Sequence, residues 1–359
     1  MHRQHCTLTV VSPFAPRKLR GDRYFCGAKG DTWTFIDRTI LRRWIGEKAV
    51  TEDRAVREVQ EAKKGNRLAA NSSDRPTYKV ASWILDDRLK AVCQNLPLAA
   101  FNSDEDVEHM HRLRISLRRA SEAIRIFSQL MGRAEVDEIR NRLRRFRQAT
   151  DEARNLDVMV ERFSCSEDVP VQFLEFLHSE RQRVQELVRT TYAEAQADKF
   201  EESIEPLVSR VESHRNGRGK QKFGRHAHEY LASAVRIFFE AAESNLTTHE
   251  SLHALRIRTK KLRYTMEILA AGTIIDSKLF SRVKLIQKLL GTVNDHATAK
   301  LIFHSWRSTI VDLELKAFLN GLLHAEEQAA EDLRAAFLAT WTPKVVSRLK
   351  RRFQFFMAK

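Results

Sequence analysis

From Tyr78 to about residue 352, apolar positions recur at three- and four-residue intervals, the period of one buried helix face. The pattern predicts a first helix over roughly 78–95, then the loop PLAAFNSDEDVEH. A second helix reaches about Met131, with Asp104 and Glu105 suited to the positive end of its dipole. A third covers 134–151 and leads into ARNLDVMVERF, and two more occupy about 170–195 and 198–214. The glycine-bearing, charged stretch HRNGRGKQKFG at 214–224 reads as a connector. Beyond it the series recurs, with a helix near 225–243, the loop SNLTTHE and a helix over 248–271. A helix over 277–291 ends in GTVND, and long helices near 296–318 and 320–352 close the chain. Thr247 and Glu250 have capping-box spacing and place the start of the 248–271 helix.

Upstream, NSSDRP at 71–76 is a turn and a boundary. Residues 33–66 predict one or two helices, and residues 1 to about 30 carry no sustained period. The expected organisation is an N-terminal extension over 1–76 and an all-α domain over 77–355. Its halves are 77–214 and 225–355, joined by 215–224.

The halves share more than helix order. HRLRISLRR carries His111, Arg114, Arg118 and Arg119, and HALRIRTKK, about 140 residues later, carries His253, Arg256, Lys260 and Lys261 at the same offsets. At about 100° per residue, offsets of zero, three and seven fall within roughly 60° around a helix, so each copy forms a cationic stripe. Beside it runs an apolar stripe: Leu113, Leu117, Ala120, Ile124 and Phe127 in the first copy, and Leu255, Thr259, Leu262, Met266 and Leu269 in the second. Arg125 and Arg263 extend the cationic stripes; Arg140, Arg144 and Arg147 follow in the first half, and Lys284 and Lys288 are comparable in the second.

Composition sharpens this reading. Only 12 glycines and 7 prolines occur in 359 residues, which favours helices, and 43% hydrophobic content supports a sizeable core. The 62 Lys and Arg exceed the 47 Asp and Glu for a net charge of +15, which favours anionic partners. Cys6, Cys26, Cys93 and Cys165 lack metal-site spacing and read as reduced thiols of a cytoplasmic protein with no zinc site. No apolar run reaches the roughly 18 residues of a membrane span, and the start of the chain has no secretory apolar segment.

The histidines do not read as catalysts. No nucleophile elbow, zinc-binding HExxH, Walker loop or dinucleotide fingerprint is present, and neighbouring arginines disfavour imidazolium. A helical arginine is ordinarily solvated or paired to a glutamate four residues away. Yet His109 to Arg119 and His253 to Tyr264 contain no acid, so their charge calls for an outside counter-ion. Arg grips phosphate oxygens with a planar fork, and Lys adds a point charge. The stripes carry no interleaved Tyr or Trp suited to base stacking, which disfavours nucleic acid, with Phe127 and Tyr264 better placed for the core.

The segments HRLRISLRRASEAIRIF and LHALRIRTKKLRYTMEIL, followed by RNLDVMV and GTVNDHATA, resemble the two halves of a CHAD domain (conserved histidine α-helical domain) over about 78–355. The resemblance implies two pseudo-symmetric four-helix bundles of long antiparallel helices, with a basic cavity between them. It also implies binding of inorganic polyphosphate and location at polyphosphate granules. His111, Arg114, Arg118, Arg119, His253, Arg256, Lys260, Lys261 and Arg263 would line the surface, with Asp295 as a helix-end residue orienting cations. Ser121 stands where the first-half motif usually carries a basic residue, and Asn155 where aspartate is common. The expected function is non-catalytic polyphosphate binding without cofactor or metal. The alternatives are a polyphosphate-processing phosphohydrolase and nonspecific nucleic-acid binding.

Overall fold

A computed structural model describes residues 69–164, 168–270 and 275–358, together with two short strands, β1 (Arg23–Cys26) and β2 (Thr34–Asp37), which pair antiparallel. Thr34–Asp37 is thus extended where the sequence pattern predicts helix, in keeping with the aromatic and β-branched residues of TFID. The remainder of the expected leader and of the 33–66 helices, with Cys6 and Cys165, lies outside the described residues.

Ten α-helices follow among the described residues. The first half holds α1 (Thr77–Phe101), α2 (Glu108–Phe127), α3 (Arg133–Ser164), α4 (Val171–Ala197) and α5 (Ile204–Ser213). The second holds α6 (Phe223–Ala242), α7 (His249–Leu269), α8 (Ser277–Thr309), α9 (Leu313–Thr340) and α10 (Pro343–Met357). Helix α1 packs on α2, α4 and α5, α2 on α3, and α3 on α4; α6 packs on α7 and α10, α7 on α8, and α8 on α9. All five residues of each predicted apolar stripe are fully buried, Leu113 to Phe127 on α2 and Leu255 to Leu269 on α7. At about 1.5–3 kcal/mol for each large side chain, these stripes fix which way the two basic helices face.

Several boundaries differ from the sequence pattern, each for a local reason. Helix α1 runs through Pro97 to Phe101 because α4 satisfies its last carbonyls. Gln185 donates to the carbonyls of Ala99 and Ala100 at 2.7 and 2.9 Å, and Arg189 to Ala100 at 3.2 Å. The N-cap of α7 is Thr248 rather than Thr247, its hydroxyl accepting from the Ser251 amide at 3.2 Å. Helix α8 does not stop at GTVND but continues to Thr309, since its packing outweighs the cost of about 1 kcal/mol for Gly291 in a helix interior. The later breaks fall at caps, where Asp312 accepts from the Leu315 amide and Thr342 precedes Pro343 at the first helical position.

The two halves meet at several joints among the described residues, three of them prominent. Their starts are laced together, Thr77 donating its amide to the Gln221 carbonyl at 2.9 Å and Phe223 to that of Arg75 at 2.9 Å. The basic helices α2 and α7 pack on each other. The third joint sets Phe163 and Phe173 against Phe303, Trp306 and Phe318. There the buried Glu326 takes hydrogen bonds from Arg162 and His296, each at 2.6 Å.

Candidate functional site

The pairing of α2 with α7 sorts the cations by their position around each helix. In each basic pair the two residues are about 100° apart, so one turns to a different side from the other. Arg118 and Lys260 turn to one side of the contact, where they lie within electrostatic reach of Arg114 and Arg256. Arg119 instead meets the carboxylate of Glu267 on α7 at 2.5 Å, and Lys261 lies toward Arg125 and Arg258.

A seam of internal ion pairs therefore takes up part of the predicted stripes. Arg263 joins Glu267 at 3.1 Å and donates to Gln287 at 2.6 Å. Arg125 forms an ion pair with Glu122 and donates to the Thr265 hydroxyl on α7 at 3.0 Å, while Thr265 donates to Glu122 at 2.6 Å. Glu122 and Glu267 are both buried. Arg119 and Arg125 thus join the halves, while Arg263 supports the shared Glu267 carboxylate from within the second half, so the charge of all three is partly spent on internal partners. The acid-free segments misled because the neutralising carboxylates come from further along the helices and across the interface.

The other cations gather with much less compensation. Arg114 donates to the Thr150 carbonyl at 2.8 Å and forms an ion pair with Asp151, both on α3. Among the described residues Arg256 has only Asp295, at 4.0 Å, and that carboxylate side chain is 76% exposed. Arg118 and Lys260 have no hydrogen bond or ion pair among the described residues. Arg154 of α3 adds a fifth cation within reach of Arg114, with its Nη1 buried and lacking a protein acceptor; Arg256 Nε is in the same condition. Burial, then Arg118, Arg256 and Arg114, push the Lys260 amine down to about 7, against the pull of Asp295.

Arg154 escapes sequence reading because Asp151 and Asp157 flank it at three-residue spacing and make it resemble an ordinary helical ion pair. Asp295 was expected at a helix end and lies within α8. His111 is half-buried on α2. His253 is exposed, and its Nδ1 donates to Asn294 Oδ1 at 3.0 Å, so Nε2 of the neutral ring is an acceptor and grips phosphate only once protonated. Arg144 is exposed on α3 and donates to Asn141 of its own helix at 2.8 Å, while Lys284 is half-buried and Lys288 exposed on α8.

Among the described residues, no group of three or more His, Cys, Asp or Glu is placed to hold a metal ion, and no helix is long and apolar enough to cross a membrane. The half-buried Cys93 is a free thiol, pushed up to about 12 by burial.

The family model of the CHAD domain matches residues 83–304. The chain is similar in fold to the crystal structure of the CHAD domain from the plant Ricinus communis. That match has a TM-score of 0.60 at 18% identity and covers 76% of this chain and 94% of that one. A second similar structure is PptA from Streptomyces chartreusis, with a TM-score of 0.48 at 17% identity, covering 74% of this chain and 99% of that one. No curated protein matches the sequence.

Proposed function

The chain belongs to the CHAD domain family, and from the cation cluster between α2 and α7 we propose that it binds inorganic polyphosphate without hydrolysing it. The observation that carries this reading is the crowding of Arg118 and Lys260 against Arg114 and Arg256 with so little opposing charge. Like charges held together in a half-buried site cost free energy, and an incoming polyanion offsets that cost. Phosphates in series suit the site because guanidinium forks take their oxygens two at a time. Nucleic acid fits less well, since Phe127 and Tyr264 are buried and offer no stacking face to a base. On the same reading the chain collects at polyphosphate granules.

The test is a titration with polyphosphate of defined length against the wild type and the double variant Arg118→Ala plus Arg256→Ala. The variant binds at least about tenfold more weakly, or about 1.4 kcal/mol, with helicity unchanged. Five cations give a slope of log affinity against log salt of at least about −3. DNA of equal charge competes poorly, and no phosphate is released. Equal affinity of the two proteins for polyphosphate rejects the reading.

A further inference from the structure

One amine in this cluster stands in a setting that charge binding alone does not use. Lys260 is half-buried on α7, one turn after Arg256, with Arg114 and Arg118 close by on α2. It has no hydrogen bond or ion pair among the described residues. From α3, Asp151 is committed to Arg114; from α8, Asp295 faces solvent beside Arg256. A nucleophilic nitrogen is thus flanked by three phosphate-gripping guanidinium groups.

We propose that Lys260 is a covalent modification site whose ε-amine forms an imine with small aldehydes that carry a phosphate group. The inference rests on the anion-binding reading of the same cluster and adds a chemical step to it. The amine nitrogen attacks the carbonyl carbon, a C–N bond forms, and the two amine hydrogens leave with the carbonyl oxygen as water. A C=N bond remains, and no oxidant or reductant is consumed. The arginines hold the phosphate so that the carbonyl is delivered to the nitrogen, which replaces a bimolecular encounter with a positioned one.

The amine is also in the right protonation state. An ordinary lysine, with a pKa near 10.4, has only a trace of free base at pH 7. Lys260, held at about 7 by burial and then by Arg118, Arg256 and Arg114, is about half free base at that pH. That is on the order of a thousandfold more nucleophilic form than an exposed lysine offers. Imine formation also removes one cation from a crowded site while its partner's phosphate neutralises the others.

The experiment treats the full chain with pyridoxal 5′-phosphate, reduces with borohydride and maps labelled peptides by mass spectrometry. Lys260 is labelled at least about tenfold faster than the exposed Lys79. Pyridoxal lacking the phosphate reacts at least about tenfold more slowly at Lys260, and tripolyphosphate protects it. Lys260→Arg, with helicity intact, loses this label. Label spread evenly over surface lysines, or a rate at Lys260 indifferent to the aldehyde's phosphate, overturns the inference. Polyphosphate binding without labelling of Lys260 defeats this inference alone. Phosphate-dependent labelling that tripolyphosphate does not suppress upholds the reactive amine and counts against the polyphosphate reading.

Discussion

Arg119 on α2 and Glu267 on α7 meet at 2.5 Å across the contact between the halves, and Arg263 approaches the same carboxylate at 3.1 Å. The carboxylate is buried, whereas the Arg119 side chain keeps about a third of its surface in water, 37%. Removing the shared acid strands two cations in the seam, with Arg88 a third within reach. Glu267→Ala is expected to lower the unfolding free energy by about 1–3 kcal/mol, measured by urea denaturation. It leaves polyphosphate affinity of the folded protein equal or higher. A loss of stability below about 0.5 kcal/mol would mean that the seam does not hold the halves.

Asp151 competes with any ligand for Arg114. Replacing it by Asn keeps the shape and removes the charge. Asp151→Asn is expected to strengthen polyphosphate binding about two- to fivefold, the equivalent of about 0.5–1 kcal/mol, at little cost to stability. A calorimetric titration reads both affinity and sign, and weaker binding by the variant would contradict the placement of Arg114 in the site.

Binding is expected to depend on pH through Lys260. Below about 7 its amine is charged in the folded chain, and above that value the charge is lost, whereas the unfolded chain keeps it to about 10.4. Between those values the unfolded state holds the extra proton, so this group makes the stability of the free protein rise with pH across the window. Polyphosphate favours the charged amine, so its binding takes up a proton above about 7. Affinity therefore falls from pH 6.5 to 8.5, and proton uptake at pH 8 approaches one, read by calorimetry in two buffers of different ionisation heat. Lys260→Met abolishes most of that uptake; the same uptake in wild type and variant would assign it to another group.

Two glycines respond in opposite directions. A Cβ on Gly219 would lie 1.9 Å from the His214 carbonyl oxygen, in the tight turn that joins the halves. Gly219→Ala is expected to cost about 1–3 kcal/mol. Gly291, within α8, has open space where a Cβ would go. Gly291→Ala stabilises by about 0.5–1 kcal/mol through helix propensity. Thermal unfolding distinguishes the two, and a destabilised Gly291→Ala would show that the helix needs a glycine there.

The sequence by itself determined what is encoded within a few turns of chain. Apolar residues at helical spacing can be buried only as one face, so Leu113 to Phe127 and Leu255 to Leu269 were legible, and so was the repeat that carries the two basic motifs. Helix ends were legible less well. Gly291 resembles a stop, and only packing along α8 overrides it. Which cations remain uncompensated was decided by tertiary structure alone. Coulomb attraction acts through space, and the acids that meet Arg114 and Arg119 stand at Asp151 and Glu267, on other helices. The same packing brings Arg118 beside Lys260, two residues 142 positions apart in sequence, and so creates a lysine whose charge is in question near neutral pH.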